Sequence, residues 1–179
     1  MNDSATFLNP TVLEIVRTLP GPIQRVWDHL VIGELRQKWF AGGTMDPHPG
    51  GRLVFEFDHR RISQSPPPEK YKDHCGAMTS QAEIVDYDPP HRLIFTWPEP
   101  DSAPHSRVTI TLSEKGSKVL LHLRHERLEI PQARPGIAAG WHAHLDLLSD
   151  LLEGRQPRDF WPHHTAQEDA YREQIEQGR

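Results

Sequence analysis

His125 and His144 are the residues of this chain whose types and settings best suit acid–base or ligand-orienting chemistry. His144 follows Trp141 by three positions and precedes Leu148 by four. It therefore lies on the apolar face that Trp141, Leu145, Leu148 and Leu152 define in residues 138–154, a spacing that predicts one amphipathic helix. His125 shares one side of an alternating run with Val119, Leu121 and Leu123. An imidazole has a reference pKa of about 6.5, so in an apolar setting it can hold a ligand's polar group or pass a proton near neutral pH. The same ring also serves as a core group satisfied by a structural hydrogen bond. If the helix crosses the sheet near the end of that strand, the two rings face each other.

Trp27, Trp39, Phe55, Phe57, Phe95, Trp97 and Trp141, with Leu148, offer enough flat apolar surface to line a pocket for an aromatic or aliphatic molecule, or to form a solid core. These eight residues and the two histidines are the candidate ligand-binding set. Glu14 and Glu56 are the weak candidates for a carboxylate that would complete an acid–base pair.

Other chemistries find less support. Among the 12 histidines, His142 and His144 are two apart on a helix and point about 200° from each other. His163 and His164 adjoin without an obvious third ligand, so no metal is expected. Cys75 has Lys70, Lys72 and His74 nearby in sequence, a setting that can lower a thiol pKa, but it stands in an irregular stretch. No nucleophile elbow, phosphate loop or dinucleotide fingerprint occurs, and no cofactor is implied.

The elements that must position these residues follow from periodicity. Residues 11–18 read as a strand, and Ile23, Val26, Trp27 and Leu30 continue as a helix after Pro22, with a second short helix over 34–39. Residues 50–58 alternate Leu53, Phe55 and Phe57 against polar positions, and 81–87, 91–97, 107–113 and 118–128 give four further strands joined by turns, an antiparallel meander. Residues 59–80 read mostly as loop. An antiparallel sheet with one wet face must cover its dry one, and the helix over 138–154 is the natural cover, with His142, Asp146, Ser149, Asp150 and Glu153 turned to water. In the tail, Thr165 and Glu168 match a capping box that would start a short peripheral helix over 166–177. The expected fold class is α+β: a curved antiparallel sheet of about six strands gripping a long C-terminal helix. Residues 11–154 form its core and 155–179 an extension, all within one domain.

The formal charge of -5 and the lack of a basic stripe argue against nucleic acid. A single cysteine, no basic or apolar leader and no apolar run near 20 residues point to a cytoplasmic protein without membrane insertion.

The stretches PGPIQRVWDHLVIGELRQKWFAGG, GGRLVFEF, AEIVDYDPPHRLIFTW, VTITL, LLHLRHERL and GWHAHLDLLSDLLEG, in this order, resemble the activator of Hsp90 ATPase homologue branch of the START-like (SRPBCC, helix-grip) superfamily. The resemblance covers residues 11–154 and implies a helix-grip (Bet v 1-like) fold with an apolar cavity between sheet and long helix. It also implies a choice of roles: a binder of a small hydrophobic ligand, a polyketide cyclase or hydrolase-type enzyme using cavity histidines, or a chaperone-linked interaction protein of a stress response, with a protein partner or homodimer. The sequence departs from the compact family pattern in two places, residues 59–80 and the tail beyond Arg155. Nothing in the residues requires catalysis, and the first role is the leading expectation.

Overall fold

The computed structural model describes residues 4–74, 76–97 and 106–177. Cys75 therefore lies outside the described residues, as does most of the loop expected between the strands at 91–97 and 107–113.

Among the described residues, seven antiparallel strands form one sheet: β1 (Thr6–Asn9), β2 (Val12–Pro20), β3 (Arg52–Phe57), β4 (Met78–Asp88), β5 (Arg92–Thr96), β6 (Arg107–Lys115) and β7 (Lys118–Glu126). Their order across the sheet is β1-β2-β7-β6-β5-β4-β3. The helices are α1 (Ile23–Val31), α2 (Gly33–Arg36), α3 (Arg134–Leu152) and α4 (Phe160–Glu176). Sequence neighbours from β3 to β7 pair directly, as expected of a meander, while β2 closes onto β7 with Leu13 opposite His125 and Ile15 opposite Leu123.

Alternation sets the dry face. Leu53, Phe55 and Phe57 of β3, Leu93 and Phe95 of β5, Val108, Ile110 and Leu112 of β6, and Val119, Leu121, Leu123 and His125 of β7 are all buried, and α3 lies among them in the same hydrophobic cluster. Period-two patterning leaves strand register little freedom, because a one-residue slip would turn this whole set to water. Gly43 shows a local constraint of another kind. It has φ +92°, and a Cβ there would sit 2.2 Å from the Val54 carbonyl oxygen, so the strand-like stretch beside β3 approaches too closely for a side chain.

Several expectations are corrected. A short, exposed β1 precedes the first expected strand. Helix α3 begins at Arg134 rather than 138, since Pro135 is tolerated in a first turn where N–H groups lack partners anyway. Residues 59–80 hold two 3₁₀ segments, His59–Arg61 and Glu69–His74, and the start of β4. The tail helix begins at Phe160, so Thr165 is interior, and its hydroxyl donates to the Trp161 carbonyl (2.9 Å) instead of capping. Glu168 is buried and bonded to Lys70 and Tyr71. The polar side of α3 is only partly solvated: Glu153 is exposed as expected, but His142 and Asp150 are buried, because the tail segment packs over them.

Candidate functional site

The open end of the grip, where β3, β5, β7 and α3 meet, collects aromatic rings. Phe40, just after α2, sits at the centre. Its ring lies 5.4 Å from Trp39, 5.5 Å from Phe55, 5.2 Å from Phe57, 6.2 Å from Trp97, 5.3 Å from Trp141 and 4.9 Å from His144. These stacked, tilted and edge-on arrangements are the ones ring quadrupoles favour. At the sheet–helix interface lies a void of ≈ 20 Å³, lined by Arg36, Trp39, Phe40, Phe55, Phe95 and Trp141 among others. That is room for about one water molecule. A larger open hollow of ≈ 320 Å³ lies by the β6–β7 turn, at the other end of that hairpin from His125. No aromatic or imidazole group lines it.

The structure brings together Trp39, Phe55, Phe57, Phe95, Trp97, His125, Trp141 and His144 of the candidate set. Trp27 is buried elsewhere, with its indole 5.5 Å from Tyr87. Leu148 is fully buried on α3; like Phe57, Trp97, His125 and His144 it does not line the void, and unlike them it has no part in the ring cluster.

Both histidines are hydrogen-bonded, His125 through both ring nitrogens and His144 through one. Trp141 Nε1–H can only donate, and it does so to His125 Nδ1 (3.1 Å). The proton of the neutral ring therefore sits on Nε2, which donates to Ser106 Oγ (2.9 Å). Burial pushes the His125 pKa down to about 3. The Nδ1–H of His144 donates to the Trp39 carbonyl (2.6 Å), which leaves Nε2 as the lone-pair nitrogen. Burial, with His59 as the next contributor, holds the His144 pKa well below 6.5. The two rings do not face each other: they connect through Trp141, which bonds His125, and Phe40, which abuts His144. The imidazole beside His144 is His59, 5.8 Å away between ring centres, its pKa lowered to about 4 mainly by burial. Neither carboxylate candidate enters the cluster. Glu14 pairs with Arg124 and His122 on the wet face of the sheet, and Glu56 is exposed.

Arg36 is the polar group that sequence reasoning missed. Only 2% exposed, its guanidinium donates to the carbonyls of Ala41 (2.9 Å), Gly42 (2.9 Å) and Gly43 (3.2 Å), reaches those of Leu30 and Val31, and lies 5.6 Å over the Phe55 ring. Burial lowers its pKa to about 10, so it stays charged at neutral pH, balanced by carbonyl dipoles.

The tail helix was expected, but not the packing of its first turn on this cluster. Phe160 packs against His59 (4.8 Å) and His144 (4.5 Å), Trp161 against His59 (4.9 Å) and Tyr71 (5.5 Å), and His164 against both tail rings. The sequence signal was the adjacent pair Phe160–Trp161, two large rings in an otherwise polar extension.

Comparison with known proteins agrees with this architecture. A family model described as Activator of Hsp90 ATPase homolog 1-like protein matches residues 20–153. The solution structure of a protein from Bordetella parapertussis is 32% identical, over 96% of this chain and 90% of that one, with a TM-score of 0.82. CalU16 from Micromonospora echinospora superposes with a TM-score of 0.66 at 21% identity, over 89% of this chain and 84% of its own. A protein from Nitrosomonas europaea gives 0.63 at 19% identity, over 83% and 97%. These two show likeness of fold alone. No curated protein matches the chain. Among the described residues no helix is long and apolar enough to cross a membrane.

Proposed function

Since the chain belongs to the family of Activator of Hsp90 ATPase homolog 1-like proteins, we propose that it binds a small hydrophobic or aromatic molecule between the sheet and α3. The supporting observation is the convergence of rings on Phe40 around a residual void that also has the Arg36 guanidinium in its wall. Ligand pockets of roughly 300 Å³ or more are usual, so the ≈ 20 Å³ void is a closed form. The ring that must yield is Phe40, because it touches six others and stands between α2 and β3, outside helix and strand. A ligand ring takes its place.

His125 has both nitrogens occupied, so the polar anchors are the His144 Nε2 lone pair, which accepts from a ligand hydroxyl, and the π-facing charge of Arg36. A phenol fits this pair better than a carboxylic acid, since Arg36 already spends its donors on carbonyls.

The five tryptophans provide the test. Titration with p-cresol, followed through the indole N–H signals by NMR, should shift those of Trp39, Trp97 and Trp141 and leave Trp27 in place. If the three cluster indoles do not move, or all five move alike, the proposed pocket is wrong.

A further inference from the structure

We propose that His142, Asp146 and His163 form a binding site for a transition-metal ion of the zinc class, independent of the aromatic cluster. His142 and Asp146 are one helical turn apart on α3, and α4 brings His163 onto them. His163 Nε2 stands 2.8 Å and His142 Nε2 3.3 Å from the same oxygen, Asp146 Oδ2, and the three donor atoms all lie within 4.8 Å of one another. Zinc bonds of about 2.0–2.1 Å put tetrahedral donors roughly 3.3–3.4 Å apart. One edge of that tetrahedron is already present, and a second needs to open by about half an ångström. Two imidazoles and a carboxylate are a donor set zinc accepts, with the fourth position left to water. His163 and Asp146 keep 17% and 13% of their side-chain surface exposed, which gives an ion access.

The surroundings orient the ligands. Tyr171 Oη lies 2.6 Å from His142 Nδ1; with the proton on Nδ1, this bond turns the Nε2 lone pair toward the site. Arg17 holds Asp146 Oδ1 through Nε (3.1 Å) and Nη2 (2.9 Å), which fixes the carboxylate as a one-oxygen ligand. One group competes: Arg158 Nη1 donates to Oδ2 at 3.0 Å. It can withdraw and stay anchored, because its Nε and Nη2 bond Asp150. The third ligand that the sequence did not offer beside His163 is thus supplied by α3, 17 positions earlier.

Cobalt(II) titration of the full chain, stripped with a chelator, reads the site through visible d–d bands, and zinc should displace the cobalt at one equivalent. His142→Ala and His163→Ala, each checked for native far-UV circular dichroism, should abolish the bands. Tyr171→Phe should weaken binding by about 10–100-fold. Arg158→Gln should tighten it by about tenfold or more, as a positive charge beside the ion is removed. Absence of bands in both the wild type and Arg158→Gln overturns the proposal. So does binding that survives both histidine substitutions, since it would then belong to other histidines.

Discussion

Replacing Asp146 with asparagine removes one charge from the point where four elements of the structure meet. The carboxylate accepts from Arg17 of β2, from Arg158 before α4, from His163 of α4, and from His142 of its own helix. Arg17 is 4% exposed and Asp146 13%, so the neutral amide takes the negative charge out of a buried ion pair. Breaking one half of a buried pair costs about 3–5 kcal/mol, and the surviving amide oxygen places this case near about 3 kcal/mol. The pH dependence follows from the same contacts. Although burial alone would raise it, hydrogen bonds from His142 and His163 with the Arg17 charge hold the Asp146 pKa below its ordinary 3.8. A carboxylate with a depressed folded value stabilises fully above the unfolded pKa, and this contribution is lost as pH falls through the folded one. Urea unfolding at about pH 7 with a chelator present should therefore show the full gap between wild type and Asp146→Asn. Below 3.8 the gap should narrow by about 1.4 kcal/mol per pH unit. A neutral-pH gap under about 1 kcal/mol, the range of an exposed pair, would refute the reasoning, as would an equal gap at about pH 7 and about pH 3.

Phe40→Ala should destabilise by about 3–5 kcal/mol in urea unfolding, and added p-cresol should restore part of that loss. Trp141→Phe keeps the ring packing but removes the donor to His125 Nδ1, so it should cost about 1–3 kcal/mol by the same measurement. Imidazole signals of His59, His125 and His144 should stay those of neutral rings from about pH 7.5 to 5.5 in an NMR titration. Because burial depresses their folded pKa values, the unfolded chain takes up protons first. Their contribution to stability is full above about pH 6.5 and falls on acidification toward about 4 for His59 and about 3 for His125.

Much of the fold was legible because burial follows a period. Leu53, Phe55 and Phe57, and the β7 run ending at His125, sort into one face by alternation alone, and the α3 face through Trp141 and His144 by three-to-four spacing. Other parts carry no period. β1 is four mostly exposed residues held by pairing with β2. Arg36 is buried because its planar fork meets a ring of carbonyls formed by a turn, and hydropathy reads that residue as surface. Periodicity correctly placed His142, Asp146 and Asp150 opposite the core but could not say what covers them. Charge could have: Arg155, Arg158 and His163 in the tail complement the two aspartates.

The two stretches that depart from the compact pattern, 59–80 and the tail, pack on each other and make one cover for the aromatic cluster. Asp159 accepts from the backbone of Gln64 (3.0 Å) and Ser65 (3.1 Å), Glu168 binds Lys70 and Tyr71, and His59 packs against both Phe160 and Trp161. The α4 face that does this is thin in apolar groups, with Phe160, Trp161 and Tyr171 its buried rings. Polar clips at Asp146, Asp159 and Glu168 therefore hold it in register. Exposed ends of such clips, such as Lys70 and Arg158 at 49% and 40%, are screened by salt, whereas Phe40 is held by ring packing that salt leaves intact. On the proposed ligand-binding reading, opening of the cover and yielding of Phe40 are thus separable steps. Ligand entry limited by the cover should quicken with added salt, and entry limited by Phe40 should not.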